Sequence, residues 1–166
     1  MPTNHNFELA FAEEAKNRQL FLAFAQKADA EGARQVARLF RAAAESELIH
    51  ARAELEALGL VRSTMENVRH AVAVEENEFQ NMYARFLHEA QRDGDGAAAT
   101  LFGRILEVER GHHNLFREAF AALSTGADIP EAPILVCRTC GNTVVGQPPS
   151  ICPVCGQPQE GFIAVA

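Results

Sequence analysis

At 166 residues, with 48% hydrophobic and 22% charged side chains, the chain can bury one good core and carry a small appendage. A formal charge of -7 without any Lys/Arg cluster excludes a general nucleic-acid binder, which needs a basic face to neutralise phosphates. Residues 1–12 lack the basic and apolar regions of a signal peptide, and no apolar run approaches the ~20 residues that span a bilayer, so a cytoplasmic protein without membrane association is expected.

Helical signals dominate residues 7–123, which are rich in Ala, Leu, Glu, Arg and Gln and follow a helical apolar period, with no proline between Thr3 and Ile129. The first helix is expected over about residues 6–30, with Phe7, Phe11, Glu14, Phe21 and Ala28 on one face, and Gly32 as the turn. A second, over about 33–58, ends at Gly59 as a left-handed cap. The third opens at Ser63, where Ser63-Thr64-Met65-Glu66 reads as a capping box, and runs to about residue 92. Asp93-Gly94-Asp95-Gly96 is a turn, and the fourth helix covers about 97–123. Gly126, Pro130 and Pro133 make residues 124–133 a linker. Beyond it, the short apolar runs Ile134-Leu135-Val136, Val144-Val145 and Phe162-Ile163 predict brief strands in a separate small domain, residues 134–166.

Two Glu-x-x-His pairs stand out, Glu47-Leu48-Ile49-His50 and Glu109-Arg110-Gly111-His112. A helix brings a residue and its third neighbour to one side, so each pair aims a carboxylate and an imidazole at one point. Both lie on apolar stripes: Val36, Phe40, Ala43, Glu47, His50 on one helix and Ile105, Glu109, His112, Phe116 on another. Burying a carboxylate costs several kcal/mol unless it is paired or coordinated, and a metal centre would supply the partner. Glu14 on the first helix and Glu75 and Glu78 on the third add carboxylates, the last two on a stripe with Val68, Val72, Phe79, Met82 and Phe86. One Glu from each of two helices and a Glu-x-x-His from each of two others is the donor pattern of di-iron and di-manganese helical bundles, and this chain has it with one carboxylate more. His5, His70, His88, His113, Glu13 and Glu76 fall off or beside the pattern and are read as solvated or structural.

Cys137-Arg138-Thr139-Cys140-Gly141 and Cys152-Pro153-Val154-Cys155-Gly156 are two C-x-x-C-G loops separated by eleven residues. In a reducing compartment such pairs hold a metal before they form disulfides. Each loop supplies two sulfurs to one tetrahedral cation, and the glycine admits close backbone approach. From the cysteines alone the cation is zinc or iron.

A carboxylate bundle followed by a four-cysteine knuckle resembles the rubrerythrins over nearly the whole chain. The resemblance rests on Ala10-Phe11-Ala12-Glu13-Glu14, on Glu47 to Ala51, on Glu75 to Tyr83 and on Val108 to His112. It implies a mainly α protein: a ferritin-like four-helix bundle over residues 1–123 plus a rubredoxin-like domain. It also implies a non-haem di-iron centre held by Glu14, Glu47, Glu75, Glu78, Glu109 and His112. Glu47 and Glu109 would bridge, and His50 would alternate with Glu78 on one iron. Cys137, Cys140, Cys152 and Cys155 would bind a rubredoxin-type iron where electrons enter. The implied activity is reduction of hydrogen peroxide to water, with electrons drawn from NAD(P)H through a rubredoxin or a reductase. Tyr83, a turn beyond Glu78, is either a hydrogen-bond donor to a bound ligand or a core aromatic. A ferroxidase-like iron-binding protein, and a non-catalytic module with zinc in the knuckle, are the competing readings.

Against the family pattern, Phe21 stands where many rubrerythrins carry tyrosine, and the cysteine pairs lie one residue closer than usual. A third difference is the connection at residues 59–63. In a ferritin-like bundle the second and third helices run parallel, so their connection must travel back along the bundle. The two helices would descend roughly 13 Å and roughly 15 Å to their ligands, at ~1.5 Å per residue, whereas five to seven linker residues reach about 17 to 24 Å. A domain-swapped homodimer is therefore expected, with the first two helices of one chain completing the last two of its partner.

Overall fold

The computed structural model describes residues 2–165. These form two compact units, one running to Arg62 and the other beginning at Ser63.

The first unit is a hairpin of α1 (Pro2–Ala30) and α2 (Arg34–Leu58). Gly32 turns the chain as expected, with φ 81°. The helices meet through small side chains: Ala25 and Ala28 on α1 and Ala37, Ala44 and Ala51 on α2 are the buried apolar residues here. Phe21, Phe24 and Phe40 add an aromatic contact near the turn, with Phe24 and Phe40 centroids 5.5 Å apart. Alanine brings helix backbones close but removes little apolar area from water, and larger side chains stay outside. Leu39, Ile49 and Val61 are each exposed by 66% or more. A hairpin of this size buries too little on its own to be stable at ~25 cal/mol per Å² of apolar surface.

The second unit contains α3 (Thr64–Asn77), a π-helical turn at Glu78–Met82, α4 (Tyr83–Arg92) and α5 (Gly96–Ser124), followed by a small sheet. Ser63 and Glu66 form the expected capping box, Ser63 Oγ accepting from the Glu66 N–H while the Glu66 carboxylate accepts from the Ser63 N–H at 3.3 Å. Such a cap contributes about 1 kcal/mol. Helical dihedrals continue through Glu78 and Tyr83, so the single third helix read from the sequence is one helical path interrupted by one wide turn. Periodicity over a long window cannot register one inserted residue. Asp95 caps α5, its carboxylate accepting from the Ala98 N–H at 2.9 Å. Leu106, Val108 and His113 of α5 are buried, and His113 Nδ1 meets the Val72 carbonyl at 3.2 Å while its ring packs on Phe79, a structural role in keeping with its place off the ligand pattern.

The strands are β1 (Ile134–Cys137), β2 (Thr143–Val145) and β3 (Phe162–Ala164), antiparallel in the order β2-β1-β3. Cys137, Cys152 and Phe162 form the buried centre of this sheet domain, backed by Leu135 and Val144. Among the described residues no helix is long and apolar enough to cross a membrane.

Candidate metal centres

Each cysteine loop is closed by the same two backbone bonds. Gly141 N–H donates to the Cys137 carbonyl at 2.8 Å and Cys137 N–H to the Asn142 carbonyl at 2.9 Å; the second loop repeats this with Gly156, Cys152 and Gln157 at 2.9 and 2.7 Å. Both turns need a left-handed residue, supplied by Gly141 (φ 84°) and Gly156 (φ 78°), where a β-carbon would be strained. The two knuckles bring all four sulfurs together, with Cys137 Sγ 3.6 Å from Cys155 Sγ and Cys140 Sγ 3.6 Å from Cys152 Sγ. A tetrahedron with metal–sulfur bonds of ~2.3 Å has edges of ~3.8 Å, so the spacing fits one cation. Burial pushes the Cys137 thiol up, but the N–H groups of Cys140 and Thr139 overcome it and hold it at about 7; burial of Cys140 pushes its thiol well above the usual range. Four thiols at this distance cannot all ionise unless a cation compensates them.

Each compact unit holds one carboxylate and histidine cluster. In the first, α1 supplies Glu14 and α2 supplies Glu47 and His50. His50 Nδ1 is 3.7 Å from both Glu14 Oε2 and Glu47 Oε2, the imidazole exposed and the carboxylates half-buried. In the second, α3 supplies Glu75 and α5 supplies Glu109 and His112. His112 Nδ1 is 2.8 Å from Glu109 Oε2 and 3.8 Å from Glu75 Oε2. Burial raises the Glu75 carboxyl to about 7, assisted by the hydrogen bond that its neutral form donates to Glu109 and by the charge of Glu109, and opposed by His112. Glu14 Oε2 and Glu75 Oε2 are buried without a hydrogen-bond partner, an expensive arrangement for an anion unless a cation sits against it. Two carboxylates and an imidazole per cluster are a donor set that fits iron or manganese.

Glu78 and Tyr83 stand outside the two clusters. Glu78 begins the π turn, its carboxyl raised by burial and by the charge of Glu109. Tyr83 is packed on Phe86 and Phe102, with its phenol also raised by burial and then by Glu78 and Glu109. It is therefore a packed aromatic whose hydroxyl feels the acidic cluster. A largely apolar cavity of about 630 Å³ opens onto Glu75 and His112, walled by Phe116 and Ala119 of α5 and by Ile134 and Val145 of the sheet. Thr143 also lines it, and its hydroxyl lies 3.0 Å from His112 Nε2. Sequence reading did not single out Thr143, because a threonine 31 residues beyond a histidine carries no local signal.

Helices bearing carboxylate–imidazole clusters, in a chain that also carries a four-thiolate knuckle, define the class of protein whose donor sets fit two kinds of non-haem metal centre. The rubrerythrin family model matches residues 5–120, and the rubrerythrin rubredoxin-like domain model matches residues 136–163. The chain belongs to the rubrerythrin family. It is 30% identical to a rubrerythrin of Porphyromonas gingivalis over 96% of this chain and 88% of that protein. It is 29% identical to nigerythrin of Nitratidesulfovibrio vulgaris over 98% of this chain and 86% of the relative. Solved structures of nigerythrin in a mixed-valence state and in a fully reduced, all-ferrous state resemble it with TM-scores of 0.58 and 0.59, at 28% identity over 98% of this chain and 86% of theirs.

Proposed function

We propose that this chain is a non-haem di-iron peroxidase that reduces hydrogen peroxide to water, with electrons entering through an iron held by Cys137, Cys140, Cys152 and Cys155. The observation that carries the reading is the occurrence, in one compact unit, of a carboxylate–imidazole cluster and a four-thiolate knuckle. A protein that only stored iron would gain nothing from the thiolates, and a zinc ribbon would have no use for buried, unpartnered carboxylates. Nigerythrin, in its fully reduced, all-ferrous state, carries iron, which supports iron as the metal here. Iron held by the bundle carboxylates and imidazoles would supply the two electrons that cleavage of the O–O bond needs, and iron held by the four cysteines would supply one-electron replenishment.

The residues divide the remaining work. Glu14, Glu47, Glu75, Glu109 and His112 would hold the irons, Glu47 and Glu109 each sharing a cluster with a histidine three residues on. His50 and Glu78 would be the exchangeable ligands, His50 being exposed and Glu78 lying on the irregular π turn, where a change of backbone register costs least. The Glu75 carboxyl, raised to about 7, can carry a proton near neutral pH, and burial also raises that of Glu78; reduction of peroxide to water consumes protons. The electron donor is a rubredoxin or an NAD(P)H-dependent reductase. The four free cysteines support a cytoplasmic, reducing location.

The working form is a domain-swapped homodimer. With α2 ending at Leu58 and α3 starting at Thr64, neither helix unwinds to lengthen the connection. In a ferritin-like bundle the chain would descend about 12 Å from His50 and about 16 Å more to Glu75, at ~1.5 Å per residue, whereas the linker reaches about 21 Å. Pairing with a second copy removes that demand and covers the exposed apolar side chains of the first unit.

Anaerobic stopped-flow absorbance on fully reduced, iron-loaded protein tests the activity. Reoxidation of the thiolate iron much faster by peroxide than by oxygen is expected. Oxygen reacting as fast or faster would replace this reading with a ferroxidase.

A further inference from the structure

His112 is held on both ring nitrogens by groups with different tasks. Its Nδ1 faces Glu109 at 2.8 Å and Glu75 at 3.8 Å, and its Nε2 faces the Thr143 hydroxyl at 3.0 Å. The Thr143 hydroxyl donates to the Gly141 carbonyl at 3.1 Å. With its proton committed there, the Thr143 oxygen has only lone pairs to offer, so it accepts from the Nε2–H of His112. With Nε2–H given to Thr143, Nδ1 is the nitrogen left to a cation seated between it and the two carboxylates, where the cation replaces the proton that the 2.8 Å contact with Glu109 requires.

The placement of Thr143 is itself anchored. Gly141 belongs to the first knuckle, directly after Cys140, and a β-carbon there would lie 3.8 Å from Val108 Cγ1 on α5, one residue before Glu109. Thr143 opens β2, paired with Val136 of β1, so the sheet fixes it from the other side. A hydrogen-bonded chain thus runs from the knuckle backbone through Thr143 to His112 within a single compact unit.

We infer that Thr143 is a positioning residue for the bundle metal: its hydroxyl fixes the ring orientation and Nε2–H tautomer of His112, and so ties the metal affinity of the helical cluster to the docking of this chain's own cysteine domain on α5. The inference rests on the metal-centre reading above, but the residue and its mode of action go beyond it. Carboxylates and carbonyls that orient ligating histidines commonly change metal affinity by about 10–100-fold, and the Thr143 hydroxyl acts in the same way.

The test uses the full chain loaded with zinc as a diamagnetic probe, with ¹⁵N-labelled histidine. In the unaltered protein His112 is expected to coordinate through Nδ1 and to show a slowly exchanging Nε2–H signal. Thr143→Val keeps the branched shape of a strand residue and removes the hydroxyl. It is expected to lose the slow exchange and to weaken zinc binding at the helical cluster about tenfold or more, with the cysteine site unchanged. Thr143→Ser should restore both. Equal exchange and equal affinity in the Val variant would overturn the assignment to Thr143, as would coordination of His112 through Nε2. Unaltered protein that takes zinc only at the cysteines would overturn the metal-centre reading and this inference with it.

Discussion

Glu109 and His112, three residues apart on α5, bring a carboxylate oxygen and a ring nitrogen to within 2.8 Å of each other, and Glu75 of α3 reaches the same nitrogen to 3.8 Å. A helix pair alone makes the first contact; only the packing of α3 on α5 makes the second. Replacing Glu109 by Ala should therefore abolish metal binding at this cluster while leaving the thiolate site intact. Metal content of the purified variant, resolved by the absorbance of the cysteine site, checks it; full bundle occupancy in the variant would contradict the role given to Glu109.

Metal uptake should release protons in a pH-dependent way. The Glu75 carboxyl stands at about 7 in the folded, metal-free chain against an ordinary 4.5, because burial and Glu109 favour its neutral form. A raised carboxyl pKa means that its contribution to stability is complete at low pH and is lost as pH rises from about 4.5 through about 7. A cation at the cluster displaces that proton. Calorimetry in buffers of different ionisation enthalpy should show more protons released at pH 6 than at pH 8, and Glu75→Gln should flatten the difference.

Complementation between two damaged chains tests the swapped dimer. One chain carries Glu14→Ala with Glu47→Ala, the other Glu75→Ala with Glu109→Ala. In a swapped pair, one centre receives both intact halves and the other receives both damaged ones. Co-refolded mixtures should then regain close to half the bundle metal per heterodimer, whereas neither variant alone holds any complete centre. No recovery in a verified heterodimer would show that each centre is built from one chain.

The Ser63–Glu66 capping box begins the second unit and ends nine residues before Glu75. Ser63→Ala should destabilise the protein by about 1 kcal/mol, seen as a lower Tm, with the spectrum of either centre unaltered.

Cys152→Ser removes one of the two fully buried sulfurs of the knuckle. The thiolate-iron absorbance should disappear while ferrous iron still binds in the bundle, and peroxide turnover driven by an external protein donor should fall to a small fraction. Undiminished turnover would mean that electrons bypass the knuckle.

The sequence alone determined the features that depend on short-range order. The four helical segments, the left-handed cap at Gly59, the Ser63 capping box, the turn at Gly94 and the brief strands all follow from periodicity and local hydrogen bonding, and they recur within a few residues of the expected places. The same holds for the pairing of Glu47 with His50 and Glu109 with His112, which a helical turn imposes, and for the two cysteine knuckles, where spacing and glycine dictate the loop. Tertiary structure decided how these pieces combine. It divided the clusters between a unit of α1 and α2 and a unit of α3 to α5, left Glu78 on a π turn outside the nearest group, and put Thr143 on His112 across 31 residues. Those outcomes depend on which surfaces bury one another and on single hydrogen bonds between distant segments, and neither leaves a period or a spacing in the chain.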